Sequence, residues 1–346
     1  MQGWQNILKK SIIRAKDIPA HLSPDAEEIA RTAEIYPMRI NPYYFGLIEA
    51  KDDPIWKQAV PSGLELEDHV CFDDPLDEEN LSPVPNLIHK YPDRVLFLVS
   101  SQCAMYCRFC TRKRKVGTER MVISRETVRA GIDYIRKHPE IRDVLVSGGD
   151  PLLLADELLD EILTAVRSIP SVQIIRIGSR VPCTLPMRVT GKLVKLLRKF
   201  HPLYINTHFN HPREITPEAA GACGRLADAG IPLSCQTVLL RGVNDDPQTM
   251  RDLMQGLLMI RVRPYYLFQG DMTRGTNHFR TPISDGMKIM RALIGHTSGL
   301  AVPTFALDAP GGGGKIPLSP DYVTKVGSRL EFVNYCGKTC FYENAG

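Results

Sequence analysis

The chain has 346 residues, of which 43% are hydrophobic and 24% charged, and carries a formal net charge of +4 at pH 7. These values suit one large or two ordinary soluble domains and exclude a disordered chain, and the charge is too mild to point to nucleic acid. No apolar run approaches the roughly 18–20 residues of a membrane-crossing helix, the N-terminus lacks a secretory signal, and nine unevenly spread cysteines argue for reduced thiols; a cytoplasmic protein without membrane contact is expected.

Residues 1–90 are expected to form an accessory arm. Asp25–Tyr36 has helical character, with Ser23-Pro24-Asp25 as its start signal. Pro37, Pro42, Pro54, Pro61, Pro75, Pro83, Pro85 and Pro92 then favour extended chain, because each fixes its own φ and disfavours helix in the residue before it. An arm that wraps a larger body fits this pattern better than an independent domain.

From Tyr91 to residue 295 the pattern changes. Candidate strands at Val95–Ser100, Asp143–Ser147, Gln173–Ile177, Leu203–His208, Leu233–Leu239 and Arg263–Phe268 alternate with amphipathic stretches at Thr127–Lys137, Glu157–Ser168, Gly191–Phe200, Pro217–Ala229 and Thr249–Ile260. Repeated βα units predict an α/β fold with a parallel sheet. Six of them fit a partial (β/α)6 TIM-like barrel; the count alone also allows an open doubly wound sheet. In a barrel, the loops after the strands build the active site. The polar residues cluster at those positions: the cysteine loop, Gly148-Gly149-Asp150-Pro151, Ser179-Arg180, His208-Phe209-Asn210-His211 and Gln269-Gly270-Asp271. Residues 296–346 form a C-terminal segment after a helix near Asp285–Leu293, with an apolar stretch Ala301–Leu307 leading into Asp308-Ala-Pro-Gly-Gly-Gly-Gly-Lys315.

Cys103, Cys107 and Cys110 stand in a C-x3-C-x2-C spacing directly after the first candidate strand. Three thiols on one loop can gather around a small inorganic core, whereas a closed zinc site or a ferredoxin-type cluster needs a fourth ligand. No fourth cysteine is near in sequence, which points to a [4Fe–4S] cluster with one iron open to a chelating small molecule; a partial zinc site is the plainer alternative. Paired glycines at Gly148 and Gly149 allow close backbone approach to a ligand, and equally a tight strand-to-helix turn. Asn206, His208, Asn210 and His211 cluster at the end of the fourth candidate strand and Gln236 sits in the fifth, and polar groups at such density need partners if buried. Arg112-Lys113-Arg114-Lys115 is by default a solvated basic face, yet Arg112 is two residues past Cys110 and its planar fork would suit a substrate carboxylate. The four glycines before Lys315 fail the test for a phosphate-binding loop, since Ala309 and Ile316 occupy its diagnostic positions. They leave either a flexible surface loop or a lysine on pliable backbone, placed to carry pyridoxal phosphate (PLP).

The cysteine spacing resembles that of radical S-adenosylmethionine (SAM) enzymes. Together with His89-Lys-Tyr-Pro-Asp-Arg94, Asn206-Thr-His-Phe-Asn-His-Pro212, Leu239-Leu-Arg-Gly-Val-Asn-Asp245 and Asp308 to Lys315, it resembles the lysine 2,3-aminomutases from about residue 40 to 325. The resemblance implies a radical SAM barrel holding a [4Fe–4S] cluster on Cys103, Cys107 and Cys110. It implies PLP on Lys315 with Arg94 and Lys90 near its phosphate, and SAM against Gly148, Gly149, Asp150, Asn206, His208 and Gln236. The substrate carboxylate would fall to Arg112 and its distal ammonium to Asp271 and Asp308. The implied reaction is migration of nitrogen from C2 to C3 of L-lysine, giving β-lysine, with an external one-electron reductant as partner. Arginine, glutamate and a lysine destined for elongation factor P are the competing substrates, and an iron–sulfur redox sensor is the competing class.

The chain departs from the family at Phe109, where members have His, at Phe268, where they have Tyr, and at Lys90, where they have Arg. Asp246 replaces the first structural zinc cysteine, and Cys336 and Cys340 do not reproduce the spacing of the others, so the resemblance carries over neither zinc nor the family's homo-oligomer.

Overall fold

Alternating burial along the strands builds one curved sheet. The computed structural model describes residues 3–343 and 345. Its main sheet contains β1 (Leu87–Tyr91), β2 (Arg94–Ser100), β3 (Asp143–Gly148), β4 (Ile174–Gly178), β5 (Leu203–Thr207), β6 (Leu233–Leu239), β7 (Arg263–Gln269), β8 (Thr304–Ala309) and β9 (Gly314–Pro317), arranged in that order. β2 to β8 are parallel, while β1 and β9 close the two edges as antiparallel strands. Spatial order follows chain order without reversal, which is the signature of a barrel and not of a doubly wound sheet, where the order turns back at a switch point. The six expected parallel strands are β2 to β7. Ala301–Leu307, which reads from sequence only as an apolar stretch, supplies β8, and the glycine-rich stretch after it is the turn of a β8–β9 hairpin.

Along β3, Val144, Val146 and Gly148 are buried while the residues between them are only half-buried, and β6 shows the same period, with Leu233, Cys235, Thr237 and Leu239 buried. The buried set faces the helices and the other set faces the barrel interior. The helices begin at side-chain caps: Ser124 for Arg125–Lys137, Thr216 for Pro217–Asp228 and Asp246 for Pro247–Met259. Each then lays its apolar stripe on the sheet.

In the N-terminal region the helix Ala26–Ile35 forms behind Asp25, whose carboxylate accepts the Glu28 N–H. The proline content predicts extended chain after this helix. Instead, Pro42 and Pro54 each open a short helix, capped by Asn41 and Asp53. At a helix start the missing proline N–H has no partner to lose, and its fixed φ is already helical. This region shares one core with the barrel: Ile40, Tyr44, Ile55 and Trp56 pack in the same cluster as Val95, Phe97, Val144 and Ile177. Backbone bonds from Tyr106 N to Arg39 O (3.0 Å) and from Arg108 N to Gln58 O (2.9 Å) tie it to the cysteine loop. At the other end, Val323–Lys325, Arg329–Val333 and Thr339–Glu343 form a separate small antiparallel sheet. Among the described residues, no helix is long and apolar enough to cross a membrane.

Candidate active site

The inward positions of the strands do not fill the barrel. They surround a cavity of about 640 Å³ that reaches from the cysteine loop to the β8–β9 hairpin. Leu145 and Ser147 of β3, Arg176 and Gly178 of β4, Gln236 and Val238 of β6, and Tyr266 and Phe268 of β7 reach it through the two-residue strand period. The residues assigned from sequence to the cluster, SAM, PLP or substrate all line this one cavity: Lys90, Arg94, the three cysteines, Arg112, Gly148, Gly149, Asp150, Asn206, His208, Gln236, Asp271, Asp308 and Lys315; Asn210, His211 and Gln269, at the same strand ends, do not.

The cysteine loop is held by close backbone contact with β3. Gly149 N donates to Ser100 O at 2.5 Å and Asp150 N to Gln102 O at 2.7 Å. Gly148 has φ +134°, and a Cβ there would overlap Ser100 O; one on Gly149 would lie 2.6 Å from Gln102 O. The paired glycines therefore admit the cysteine loop's own backbone, while both also line the cavity. Asp150 is likewise occupied, accepting from Ser179 Oγ at 2.8 Å and from the backbone N–H groups of Leu152, Arg180 and Val181. Burial nevertheless pushes its carboxyl up to about 6. Its carboxylate clamps the loop after β4.

That loop delivers Arg180, whose guanidinium donates to Cys107 Sγ at 2.8 Å, to Gln58 Oε1 at 2.6 Å and to Glu214 Oε1 at 2.7 Å. Burial pushes the Cys110 thiol up to about 11 and the Cys103 thiol well above its ordinary value, so thiolates in this loop require a compensating cation. Cys103, Cys107 and Cys110 together are the donor set that an iron–sulfur core satisfies. Among the described residues, no three His, Cys, Asp or Glu side chains group as a single-ion site.

Opposite the loop, His208 Nε2 and Asn206 Nδ2 are buried without a hydrogen-bond partner. Burial, reinforced by the Arg180 cation, holds the His208 imidazole well below its ordinary value, so the ring is neutral. Neutral, orphaned polar atoms on a cavity wall fit a ligand that supplies the missing partners. Phe109 stacks on the His208 ring with centroids 5.4 Å apart, which gives this departure from the family pattern a packing role.

Residues 97–254 match the Radical SAM superfamily, and residues 290–345 match the family described as Lysine-2,3-aminomutase. The L-lysine 2,3-aminomutase of Methanococcus maripaludis is 55% identical over 90% of this chain and 73% of its own length. This chain belongs to the lysine 2,3-aminomutase family. It is therefore an enzyme of the radical SAM class, whose resident cofactors are a [4Fe–4S] cluster and SAM. The L-lysine 2,3-aminomutase of Clostridium subterminale is 50% identical over 92% of this chain and 78% of its own. The glutamate 2,3-aminomutase of Clostridioides difficile is 47% identical over 88% of this chain and 72% of its own. Identity at this level does not separate the two substrates, and the side chains at the far end of the cavity bear on that choice.

There Lys315 Nζ donates to both Asp308 oxygens, at 2.7 and 3.0 Å, and lies 4.6 Å from the Phe268 ring centroid. Burial and the neighbouring Asp308 carboxylate push Asp271 up to about 7. Arg112 is not free either: its Nε donates to Glu78 Oε2 at 2.9 Å and its Nη2 to Glu78 Oε1. The expected solvated basic face does not exist. Lys113 is buried against Glu65, and Arg114 and Lys115 pair with Glu79. Sequence reasoning missed Glu78 and Arg176 as lining residues. The acidic run Asp73-Asp74-Pro-Leu-Asp77-Glu78-Glu79, opposite in sign to residues 112–115, was the available signal for the first. Asp246, in place of the family's zinc cysteine, caps a helix through the N–H groups of Gln248 and Thr249, both at 3.0 Å. Cys336 is exposed in a turn and Cys340 lies in the last strand.

Proposed function

We propose that this protein is a radical SAM, PLP-dependent 2,3-aminomutase that converts L-lysine to β-lysine. The observation that carries the reading is the pair of carboxylates, Asp271 and Asp308, facing one cavity in which a primary ammonium, that of Lys315, already sits on Asp308. Two neighbouring carboxylates repel and favour a cation between them. The distal ammonium of L-lysine has the same chemistry as the group now paired there, whereas a glutamate side chain would add a third negative charge.

Cys103, Cys107 and Cys110 would hold the cluster, with His208 and Asn206 offering their unpartnered atoms to SAM and Gln236 beside them. Lys315 would carry PLP, against Phe268 and Tyr266, and the cations Lys90, Arg94 and Arg176 on the same cavity wall would balance its phosphate. Bound together, these groups supply one-electron cleavage of SAM, hydrogen removal from an unactivated carbon and a carrier for the migrating nitrogen. The chain's own contribution is placement: Arg112 takes the α-carboxylate, Asp271 and Asp308 the far ammonium, and the barrel wall keeps water from the reacting carbons. An external one-electron reductant completes the set of partners.

Anaerobic turnover of L-lysine, L-arginine and L-glutamate by reconstituted protein tests the reading. Preferential turnover of L-lysine is expected. Preference for glutamate would refute the two-carboxylate argument, and preference for arginine would keep the site while changing the substrate.

A further inference from the structure

The acidic stretch between the N-terminal helices and β1 is tied by backbone hydrogen bonds to two other loops. Phe72 exchanges backbone hydrogen bonds with the loop after β7, to Met272 O and from Arg274 N, both at 2.8 Å, and Pro75 O accepts the Gly311 N–H of the β8–β9 turn at 2.9 Å. Glu78 comes three residues later, and its side chain is directed into the cavity with 11% of it exposed, against 16% for Arg112. A guanidinium has five N–H groups in a planar fork. Glu78 takes the one on Nε and one on Nη2, which leaves both on Nη1 and the second on Nη2. That remaining edge is the geometry a second carboxylate needs for a bidentate bond.

We propose that Glu78 is a positioning residue for substrate recognition: it holds Arg112 by one edge so that the other edge faces the incoming α-carboxylate. This rests on Arg112 being the carboxylate clamp of the proposed reaction. A long, rotamer-rich arginine left unheld in the cavity would spend its binding energy on ordering itself, and Glu78 removes that cost before the substrate arrives. Because the strap also touches the hairpin that bears Lys315, the carboxylate clamp and the lysine end of the cavity are registered on the same segment.

The test is equilibrium binding to the anaerobic, cluster- and PLP-loaded protein without SAM, so that no turnover occurs, read from the change in cofactor absorbance. Two ligands are compared: L-lysine and L-lysinamide, which lacks the carboxylate. Wild type is expected to prefer L-lysine by about tenfold or more, and Glu78→Gln to lose most of that preference through weaker L-lysine binding, with L-lysinamide unchanged. An unchanged ratio in Glu78→Gln, or tighter L-lysine binding, overturns the proposal; the latter would make Glu78 a competitor of the substrate. A wild-type ratio near one would instead refute the carboxylate role of Arg112 and the inference with it. Iron content and borohydride fixation of the cofactor at Lys315 report whether the variant is folded. Should Glu78→Gln fail them, Glu78→Asp carries the test, with an intermediate ratio expected and a wild-type ratio overturning.

Discussion

Burial and the Asp308 carboxylate together push Asp271 up to about 7, so near neutrality this group is partly protonated until a cation arrives. A cationic ligand prefers the ionised form, and below that value the proton must leave first. Affinity for L-lysine should therefore fall as pH falls through about 7, by about tenfold per pH unit, and level off above it. Stability runs the other way, because a carboxyl raised on folding favours the folded state at low pH and loses that contribution as pH rises through about 7. Absorbance titrations with L-lysine at several pH values check the first trend, with Asp271→Asn as the reference that should lack it; the same slope in both proteins would remove Asp271 from the ammonium site. Lys315 makes a separable prediction. Lys315→Ala should leave no pyridoxyl label after borohydride reduction, while reductive cleavage of SAM persists because the cysteines, His208 and Asn206 are untouched. Peptide mapping decides it, and a label on another lysine would relocate the cofactor.

At the scale of elements, the cysteine loop depends on how closely β3 can approach it. Gly148 combines a left-handed φ of +134° with Ser100 O in the space a Cβ would need. Gly148→Ala must move the loop, so iron bound per chain after reconstitution should drop severely and the protein should lose about 2–4 kcal/mol. Gly178, on the same cavity wall at the end of β4, has ordinary backbone, and a Cβ there would meet nothing closer than the Ser147 Oγ at 3.2 Å, so Gly178→Ala should keep its iron. Iron analysis and denaturant unfolding of the two variants side by side measure the contrast. Equal iron in both would mean that the loop does not need this approach. The β8–β9 hairpin obeys a related logic: positive φ at Gly311, Gly312 and Gly314 turns the chain so that Asp308 and Lys315 stand opposite each other in register.

For the whole molecule, the N-terminal region is fastened to the barrel by a buried charge network. Glu65 accepts from Arg108 at 2.9 and 2.5 Å and from Lys113 at 2.6 Å, and Arg108 also donates to the carbonyls of Tyr36 and Pro37. Both cations flank the cysteines proposed to hold the cluster. Glu65→Ala strands two buried positive charges and should cost about 3–5 kcal/mol, with weaker cluster retention as a consequence. Since residues 15–60 and the barrel strands share a core, unfolding should remain one transition at lower denaturant. Denaturant curves followed by fluorescence and by cluster absorbance test this. An unshifted midpoint would show that the network contributes nothing net. A last strand-to-strand contact, Lys315 N to Tyr91 OH at 3.1 Å, links the two edges of the sheet where β1 meets β9.

Local patterns were legible in the amino-acid sequence because their causes are local. The period of two in β3, β4 and β6, the continuous apolar run of β2, the capped amphipathic helices and the three thiols within eight positions each depend on neighbours in the chain, and so do the site candidates at strand ends. Those candidates line one cavity because a parallel barrel brings all its strand ends to one face. What the sequence left open are pairings between distant residues. Nothing local distinguishes Ala301–Leu307 as a strand until β7 offers it an edge. Asn41-Pro42 and Asp53-Pro54, by contrast, are local cap-and-proline helix starts that the expectation of extended chain passed over. The basic run after Cys110 has the composition of a solvated face. It is instead taken up by Glu65, Glu78 and Glu79, residues some 34 to 48 positions earlier, once the arm is laid across the loop. The identity of a charged residue sets what it can bind; only the folded chain decides which partner reaches it first, because desolvation and distance, on which the strength of every ion pair depends, are properties of the closed structure.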